Sequence, residues 1–394
     1  MPDSQPPQFV VLLASVLKPV NDTRMRGKFA ETLRARPTVQ VHVAGRSTGG
    51  GRHCASAEAG LQVAHHPIFW GSRLSLERLA AQRRYWRLLR VLRPNLVIVH
   101  APELLPLTLL WQWLGRKRQF IYDIRENYAL NVSTQHVYGG LTQRWLAAGL
   151  RWVEARAARR AAGLVLAETS YAAELPFLRP LPPGRVVVLE NKYQPQPDEP
   201  RRQQPQALPL PTEPLRLLYS GTISELNGLW EAVALAEQLR AAWPGGAGLT
   251  IVGFCQQPAL LQQLQATVAQ HAAWLTLVGG PEVVSHTRIV AEIGRSHVGL
   301  LPYRPHPSTE RCRPTKLFEY LAHGLPVLAP PNPLWQELLT AHGAGLAVDF
   351  GQPIDGPALV ARLQGHRFYP NGIPADVLWA SEGKKLWHLL DTAI

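Results

Sequence analysis

Cysteine is scarce: the 394 residues hold three, Cys54, Cys255 and Cys312. They stand far apart, with no Cys-x-x-Cys pair and no histidines at ligand spacing, so neither a disulfide frame nor a zinc site is expected. Charged residues are also few, at 18%, against 46% hydrophobic. That balance excludes a disordered or collagen-like chain and supplies two cores of ordinary domain size. Long apolar runs are missing as well. The longest, Leu104 to Leu114, contains Gln112 and falls short of the about 20 residues that span a bilayer. The opening MPDSQPPQ shows an acid and prolines where a secretory signal needs basic residues, and the apolar run after it meets Lys18 and Asp22. A cytoplasmic protein is the expectation.

Negative charge is short in one half only. Residues 1–199 carry 27 Lys and Arg against 14 Asp and Glu, whereas residues 200–394 carry 14 of each. All of the formal net charge of +13 is therefore N-terminal. Such asymmetry suits an anionic partner, with a merely soluble basic surface as the alternative.

Short β-rich runs alternate with helical segments in the first half: strands at Phe9–Ser15, Val39–Ala44, Leu96–Val99, Gln119–Ile124 and Leu164–Ala167, helices at Leu76–Leu92 and Leu141–Ala162. Near-continuous apolar strands separated by helices predict a parallel sheet covered on both faces. Residues 194–214 then turn proline-rich, which sustains neither a helix nor an interior strand, and read as a linker. The pattern restarts with strands at Leu215–Tyr219, Leu249–Val252, Leu275–Val278, Val298–Leu301 and Val327–Ala329. Helices are expected from about Leu229, near Leu260–Ala272 and near Thr315–His323. The fold class is thus α/β, with two Rossmann-like doubly wound domains, residues 1–193 and 215–376. A cleft between them would receive the loops that follow the strands. The amphipathic C-terminal segment, 377–394, is expected to pack back on the first domain.

Two stretches of the second half favour phosphate. The first strand runs into Ser220-Gly221-Thr222-Ile223-Ser224-Glu225-Leu226-Asn227-Gly228, where a glycine permits close backbone approach and a helix N-terminus follows. An ordinary strand-to-helix turn remains open, since neither a dinucleotide-binding glycine pattern nor a Walker A loop is present. The sharper signal is Arg311-Cys312-Arg313-Pro314-Thr315-Lys316-Leu317-Phe318-Glu319-Tyr320-Leu321-Ala322-His323-Gly324-Leu325-Pro326. Pro314 starts a short helix and Gly324 with Pro326 ends it. Lys316 and Glu319 share one face. A cation beside free amides can hold a diphosphate while a carboxylate one turn deeper accepts both hydroxyls of a ribose. A surface salt bridge is the alternative.

The segment PTKLFEYLAHGLPVLA, with YSGTISELNG upstream and the N-terminal SVLKPVNDTRMRGKFAETL, resembles glycosyltransferase family 4, of the two-domain GT-B fold. The likeness covers nearly the whole chain except the proline-rich stretch. It implies transfer of a sugar from a nucleotide diphosphate sugar, with retention at the anomeric carbon, to a glycan or lipid-linked acceptor. No metal or other cofactor is implied, in keeping with the lack of any Asp-x-Asp. Carried over, Glu319 binds the ribose, Lys316 the diphosphate, and the backbone at Gly221 and Thr222 the phosphates, with Asn227, Pro314 and Thr315 around them.

This chain departs from the family at several positions. Where the family places an Arg after the loop glycine and a Lys before the next, Thr222 and Asn227 stand here. Arg311, Arg313 or Arg304 could replace the missing charges. Arg311 also occupies the position of the first of the family's paired glutamates, with Glu310 one residue earlier.

Three loops of the first half follow strands: Lys18–Arg26, His100–Glu103 and Arg125–Tyr128. In the first, Asp22 and Arg24 lie where the family meets donor phosphates and acceptor; helix capping at Asn21, Asp22 or Thr23 is the alternative. His100 could hydrogen-bond a sugar or polarise an acceptor hydroxyl, or be structural. Glu103 could serve a ligand or a helix start. Arg125 replaces a histidine common in the family and cannot act as a base, which leaves it an electrostatic or binding role, with Glu126 as an acceptor-side carboxylate. The helix at 141–162 carries Trp145 and Trp152 seven apart among arginines. Tryptophan toward the sheet and arginine toward water is the expectation; a peripheral contact with an anionic inner membrane surface is the alternative. Two rival functions stand beside the transferase: a nucleotide-sugar 2-epimerase of the same architecture, and a non-catalytic anion- or membrane-binding protein.

Overall fold

The computed structural model of the chain describes residues 9–48, 63–72, 75–130, 140–182, 184–306 and 310–393. Cys54 lies outside the described residues. Contacts divide the chain into two units, Met1–Gln194 with Trp379–Ile394, and Pro195–Leu378.

The first unit is built on seven parallel strands: β1 (Phe9–Pro19), β2 (Val39–Arg46), β3 (Val63–Phe69), β4 (Leu96–Val99), β5 (Gln119–Ile124), β6 (Gly163–Leu166) and β7 (Val186–Val188). Their order is β3-β2-β1-β4-β5-β6-β7. Val11 to Val16 of β1 and all of β4 and β6 are buried, as unbroken apolar runs require when helices cover both faces. After β1 comes α1, a wide turn at Met25–Ala30 continued by Glu31–Leu33. The crossovers of α2 (Glu77–Leu92), α3 (Leu105–Trp113) and α4 (Gly140–Arg160) all step toward β7. The connection through α1 steps the other way. Right-handed crossovers therefore put α2, α3 and α4 on one face of the sheet and α1 on the other. A short turn of helix, α5 (Tyr171–Glu174), follows β6.

The second unit repeats the scheme with six parallel strands: β8 (Leu215–Ile223), β9 (Ala247–Cys255), β10 (Leu275–Gly280), β11 (Val298–Leu300), β12 (Val327–Ala329) and β13 (Gly345–Ala347). The order is β10-β9-β8-β11-β12-β13. The helices are α6 (Leu229–Ala242), α7 (Pro258–Gln270), α8 (His286–Arg295), α9 (Thr315–Ala322), α10 (Pro333–His342) and α11 (Gly356–Gly365). In each sheet the winding reverses once, between β1 and β4 and between β8 and β11, the points where open α/β sheets take ligands.

The proline-rich stretch has neither helix nor strand, yet it lies against the second unit. Arg202 Nη2 donates to the Gly294 carbonyl (2.7 Å) and the Gln206 amide to that of Gly324 (2.8 Å). The last helix, α12 (Trp379–Ala393), completes the first unit: Trp379, Leu386, Leu389 and Leu390 are buried in one cluster with Val11, Leu13 and Phe29.

Strands β3, β7 and β13 and helices α3, α5, α8, α10 and α11 have no counterpart in the sequence reading, and α1 appears there only through the capping alternative at Asn21, Asp22 or Thr23. The orientation of α4 also differs from expectation. Trp145 and Trp152 are 78% and 69% exposed, while Glu154, Ala157 and Ala158 face inward. Alanines on the inner side leave no volume there for two indoles.

Candidate functional site

In the second unit, β8 runs on to Ile223, past the Tyr219 end expected from the sequence, and carries Gly221, whose φ is +113°, near its end. A Cβ at that position would sit 3.1 Å from Cε of Lys316, so the backbone passes directly against the lysine stem. Gly253 is its partner on β9, and a Cβ there would fall 1.7 Å from the Gly221 carbonyl oxygen. Two glycines side by side thus let the end of β8 lie close to Lys316. Pro314, in extended conformation, precedes α9 and sets its start. Thr315 at the first position is exposed.

Lys316 and Glu319 share one face of α9, and Lys316 Nζ lies 2.6 Å from Glu319 Oε2. The pair is no surface salt bridge, because Glu319 is buried. His286 of α8 lies 2.8 Å from the other oxygen, Oε1. Burial alone pushes the Glu319 carboxyl up, but the charge of Lys316 and the hydrogen bonds from His286 and Lys316 outweigh it and hold it at about 2. Glu319 is therefore a fixed anion. His286 was not read from the sequence, although Ser285, which caps α8 by accepting from the Arg288 amide, marks the helix that carries it.

Thr222 and Asn227 hold the loop between β8 and α6 together. The Asn227 side chain donates to the Thr222 carbonyl (2.9 Å), as does the Tyr219 hydroxyl (3.0 Å), and the Asn227 amide donates to Ser224 Oγ (3.2 Å). Asn227 thus clasps the loop through a neutral amide. Of the three candidate arginines, Arg304 stays beside this loop: its amide donates to the Leu226 carbonyl (3.0 Å) and its Nε to Glu231 (2.5 Å). Arg313 is held by Glu337 and the Leu334 carbonyl on α10. Arg311 is exposed. The Glu310 carbonyl accepts from Asn332 (2.8 Å).

In the first unit, the side chains of Asp22 and Arg24 are engaged with groups of the protein itself. Asp22 accepts from the amides of Arg24 and Met25 and from both Nη atoms of Arg125 (2.8 and 3.1 Å), so it caps α1 and orders the β5 loop. Arg24 is buried, with Nε and Nη2 on Asp123 (2.9 and 2.7 Å) and Nη1 on the Leu189 carbonyl and Asn191. A guanidinium so engaged has little left for a ligand. Arg125 likewise serves Asp22 first.

The same Asp123 holds His100, which is fully buried, through Nδ1 at 2.7 Å. Burial pushes the Asp123 carboxyl up, yet Arg24 and the His100 hydrogen bond together hold it well below the usual carboxylate range. Burial keeps the His100 imidazole below its ordinary value against the pull of Asp123. An ionised Asp123 only accepts, so Nδ1 carries the proton and Nε2 of the neutral ring presents a lone pair. Nε2 is buried and has no partner among the described residues. His100 lines a pocket of about 290 Å³ with Lys18, Arg46, Glu103, Glu126 and Tyr128. Glu126 pairs with Lys18 (3.2 Å) and Glu103 with Arg78 (3.0 Å). The pocket can therefore offer a hydrogen-bond acceptor, cations and carboxylates to a polyhydroxyl ligand. Among the described residues no cluster of three His, Cys, Asp or Glu could hold a metal ion.

Residues 24–192 match the family model described as a glycosyl transferase 4-like domain. No curated protein sequence matches the chain. Among solved structures, the chain is similar to sucrose-phosphate synthase from Thermosynechococcus elongatus (15% identity, 98% of each chain, TM-score 0.63). It is also similar to Anabaena HepE in complex with UDP and glucose (12%, 98% of this chain and 99% of that one, TM-score 0.60). A third is the lipopolysaccharide outer core galactosyltransferase WaaB in its apo form (12%, 98% and 99%, TM-score 0.63). At these identities the likeness is one of fold, the two Rossmann-like units of the GT-B class.

Proposed function

We propose that this chain is a glycosyltransferase that takes a sugar from a nucleotide diphosphate sugar, retains its anomeric configuration and needs no metal. The observation that carries the reading is the buried Glu319 beside Lys316, with the Gly221 backbone against the lysine stem. The match of residues 24–192 to the glycosyl transferase 4-like model supports it, as does the shared fold with HepE, which is described with UDP and glucose.

A carboxylate has about four acceptor sites. Lys316 and His286 engage one on each oxygen of Glu319, and one on each remains for the two hydroxyls of a ribose. Lys316 can turn from Glu319 to the diphosphate, joined by the amides at Gly221 and Thr222, the start of α9 at Pro314 and Thr315, and Arg304. Departure of the nucleoside diphosphate builds negative charge on its phosphate oxygens, and fixed donors at that point lower the barrier. The acceptor, a glycan or lipid-linked sugar, would occupy the pocket beside His100, whose Nε2 accepts from a sugar hydroxyl. With retention, the acceptor oxygen attacks on the side of the leaving group, whose phosphate oxygen takes the proton. No separate protein base is required for that step.

A thermal-shift panel of UDP, GDP, ADP and dTDP tests the reading. A nucleotide present at about 100 times its Kd adds about 2.7 kcal/mol of stability, and Glu319→Ala should abolish that gain. Unchanged stabilisation of the variant, or no response to any nucleotide, would count against the assignment.

A further inference from the structure

The helical layer formed by α2, α3 and α4 presents an outer surface that its own fold does not use. Trp113 at the end of α3 and Trp145 and Trp152 on α4 are among the most exposed large apolar side chains of the chain, joined by Leu79, Val91, Leu110, Leu114 and Leu146. Helices normally turn such residues inward. On α4 the outward residues form one stripe: Trp145 and Trp152 are two turns apart, Ala148 and Gly149 lie between them, and Arg156 and Arg159 continue the line by another turn. α3 packs between α2 and α4, and Gln112 of α3 bonds the Arg160 carbonyl at the end of α4 (3.2 Å), so the three form one continuous layer.

Every charged residue that these helices expose is positive. Arg83, Arg87 and Arg90 on α2, Arg116 and Lys117 just past α3, and Arg144, Arg156, Arg159 and Arg160 on α4 face solvent. The acids nearby are turned away: Glu77 pairs with Arg84, Glu103 with Arg78, and Glu154 is buried against the Tyr122 hydroxyl. The cationic excess of the first half thus concentrates around exposed indoles and leucines.

We propose that this face, centred on α4, docks the protein on an anionic lipid bilayer. Tryptophan and leucine side chains would enter the headgroup and upper acyl region while the arginines meet lipid phosphates. Nucleic acid would use the arginines and could stack on indoles, but gains nothing from Leu110, Leu114 and Leu146. The proposal does not rest on the reaction assigned above, and its test uses neither donor nor acceptor.

The full chain is sedimented with vesicles of phosphatidylcholine alone and of phosphatidylcholine with phosphatidylglycerol, at low and high salt. Binding to the anionic vesicles only, weakened by salt, is expected. Trp145→Ser with Trp152→Ser, and separately Arg156→Glu with Arg159→Glu, should each weaken it about tenfold or more. All four positions are exposed, and circular dichroism confirms that the variants remain folded. No binding to anionic vesicles, or undiminished binding by both double variants, would overturn the proposal. So would binding to an oligonucleotide in place of vesicles, or a concentration-dependent dimer that the tryptophan variant abolishes.

Discussion

At the residue scale, the sequence reading and the structure meet at Lys316 and Glu319. Their spacing was enough to place both on one helical face, but not to bury Glu319 or to bring His286 to it from α8, a contact between residues 33 positions apart. The titration of Glu319 offers a test of that arrangement. Its folded pKa, about 2, lies below the ordinary 4.5. A lowered carboxyl pKa contributes stability that is complete above the unfolded value and is lost as pH falls toward the folded one. A gap of that size corresponds to about 3 kcal/mol. Glu319→Gln should therefore melt below the parent at about pH 7, and the difference should shrink as the pH falls from about 5 to about 3. A difference that stays constant over that range would show that the anion is not the stabilising species. His100 and Arg24 illustrate the converse. Both appear in the sequence as candidates for ligand contact, yet Arg24 forms with Asp123 a buried pair that leaves His100 as the group with an open acceptor.

At the level of elements, glycine positions separate the readable from the hidden. Gly221 stands out in the sequence because it follows a strand and precedes a helix. Gly253 does not, because its role depends on which strand lies beside β8. Gly253→Ala would place a methyl group 1.7 Å from the Gly221 oxygen, which forces β8 and β9 apart. Loss of about 2–4 kcal/mol in urea denaturation, together with loss of the nucleotide-dependent thermal shift, is expected. Gly149→Ala, on exposed α4 with nothing within 4 Å of the added carbon, serves as the control and should gain up to about 1 kcal/mol. Equal effects at the two sites would contradict the steric account. The tryptophans of α4 face solvent against expectation for a related reason: seven-residue spacing identifies a stripe but not which way it faces.

For the whole molecule, the consequential feature is that the first unit is closed by the end of the chain. Trp379, Leu386, Leu389 and Leu390 belong to its core, and none belongs to the main cluster of the second unit. Lys192 reinforces the join by an ion pair with the buried Glu382 (2.7 Å). Deletion of Trp379–Ile394 should cost the first unit several kcal/mol, since truncating even one such core side chain costs about 2–5. Hydrogen exchange read by mass spectrometry should show peptides around Val11–Val16 and Phe29 losing protection while those of β8 and β9 keep theirs. Loss in both units alike would mean that their stabilities are not separable.

The sequence by itself determined the two α/β units, most of their strands and the short helix with Lys316 and Glu319, because apolar periodicity, proline and glycine act over a few residues. Only the tertiary structure decided that His286 clamps Glu319, that Gly253 makes room for Gly221, that Arg24 pairs with Asp123 in the core, and that two tryptophans of α4 face solvent. Each of those outcomes is set by which strands and helices become neighbours in space, and spacing along a single segment carries no record of it.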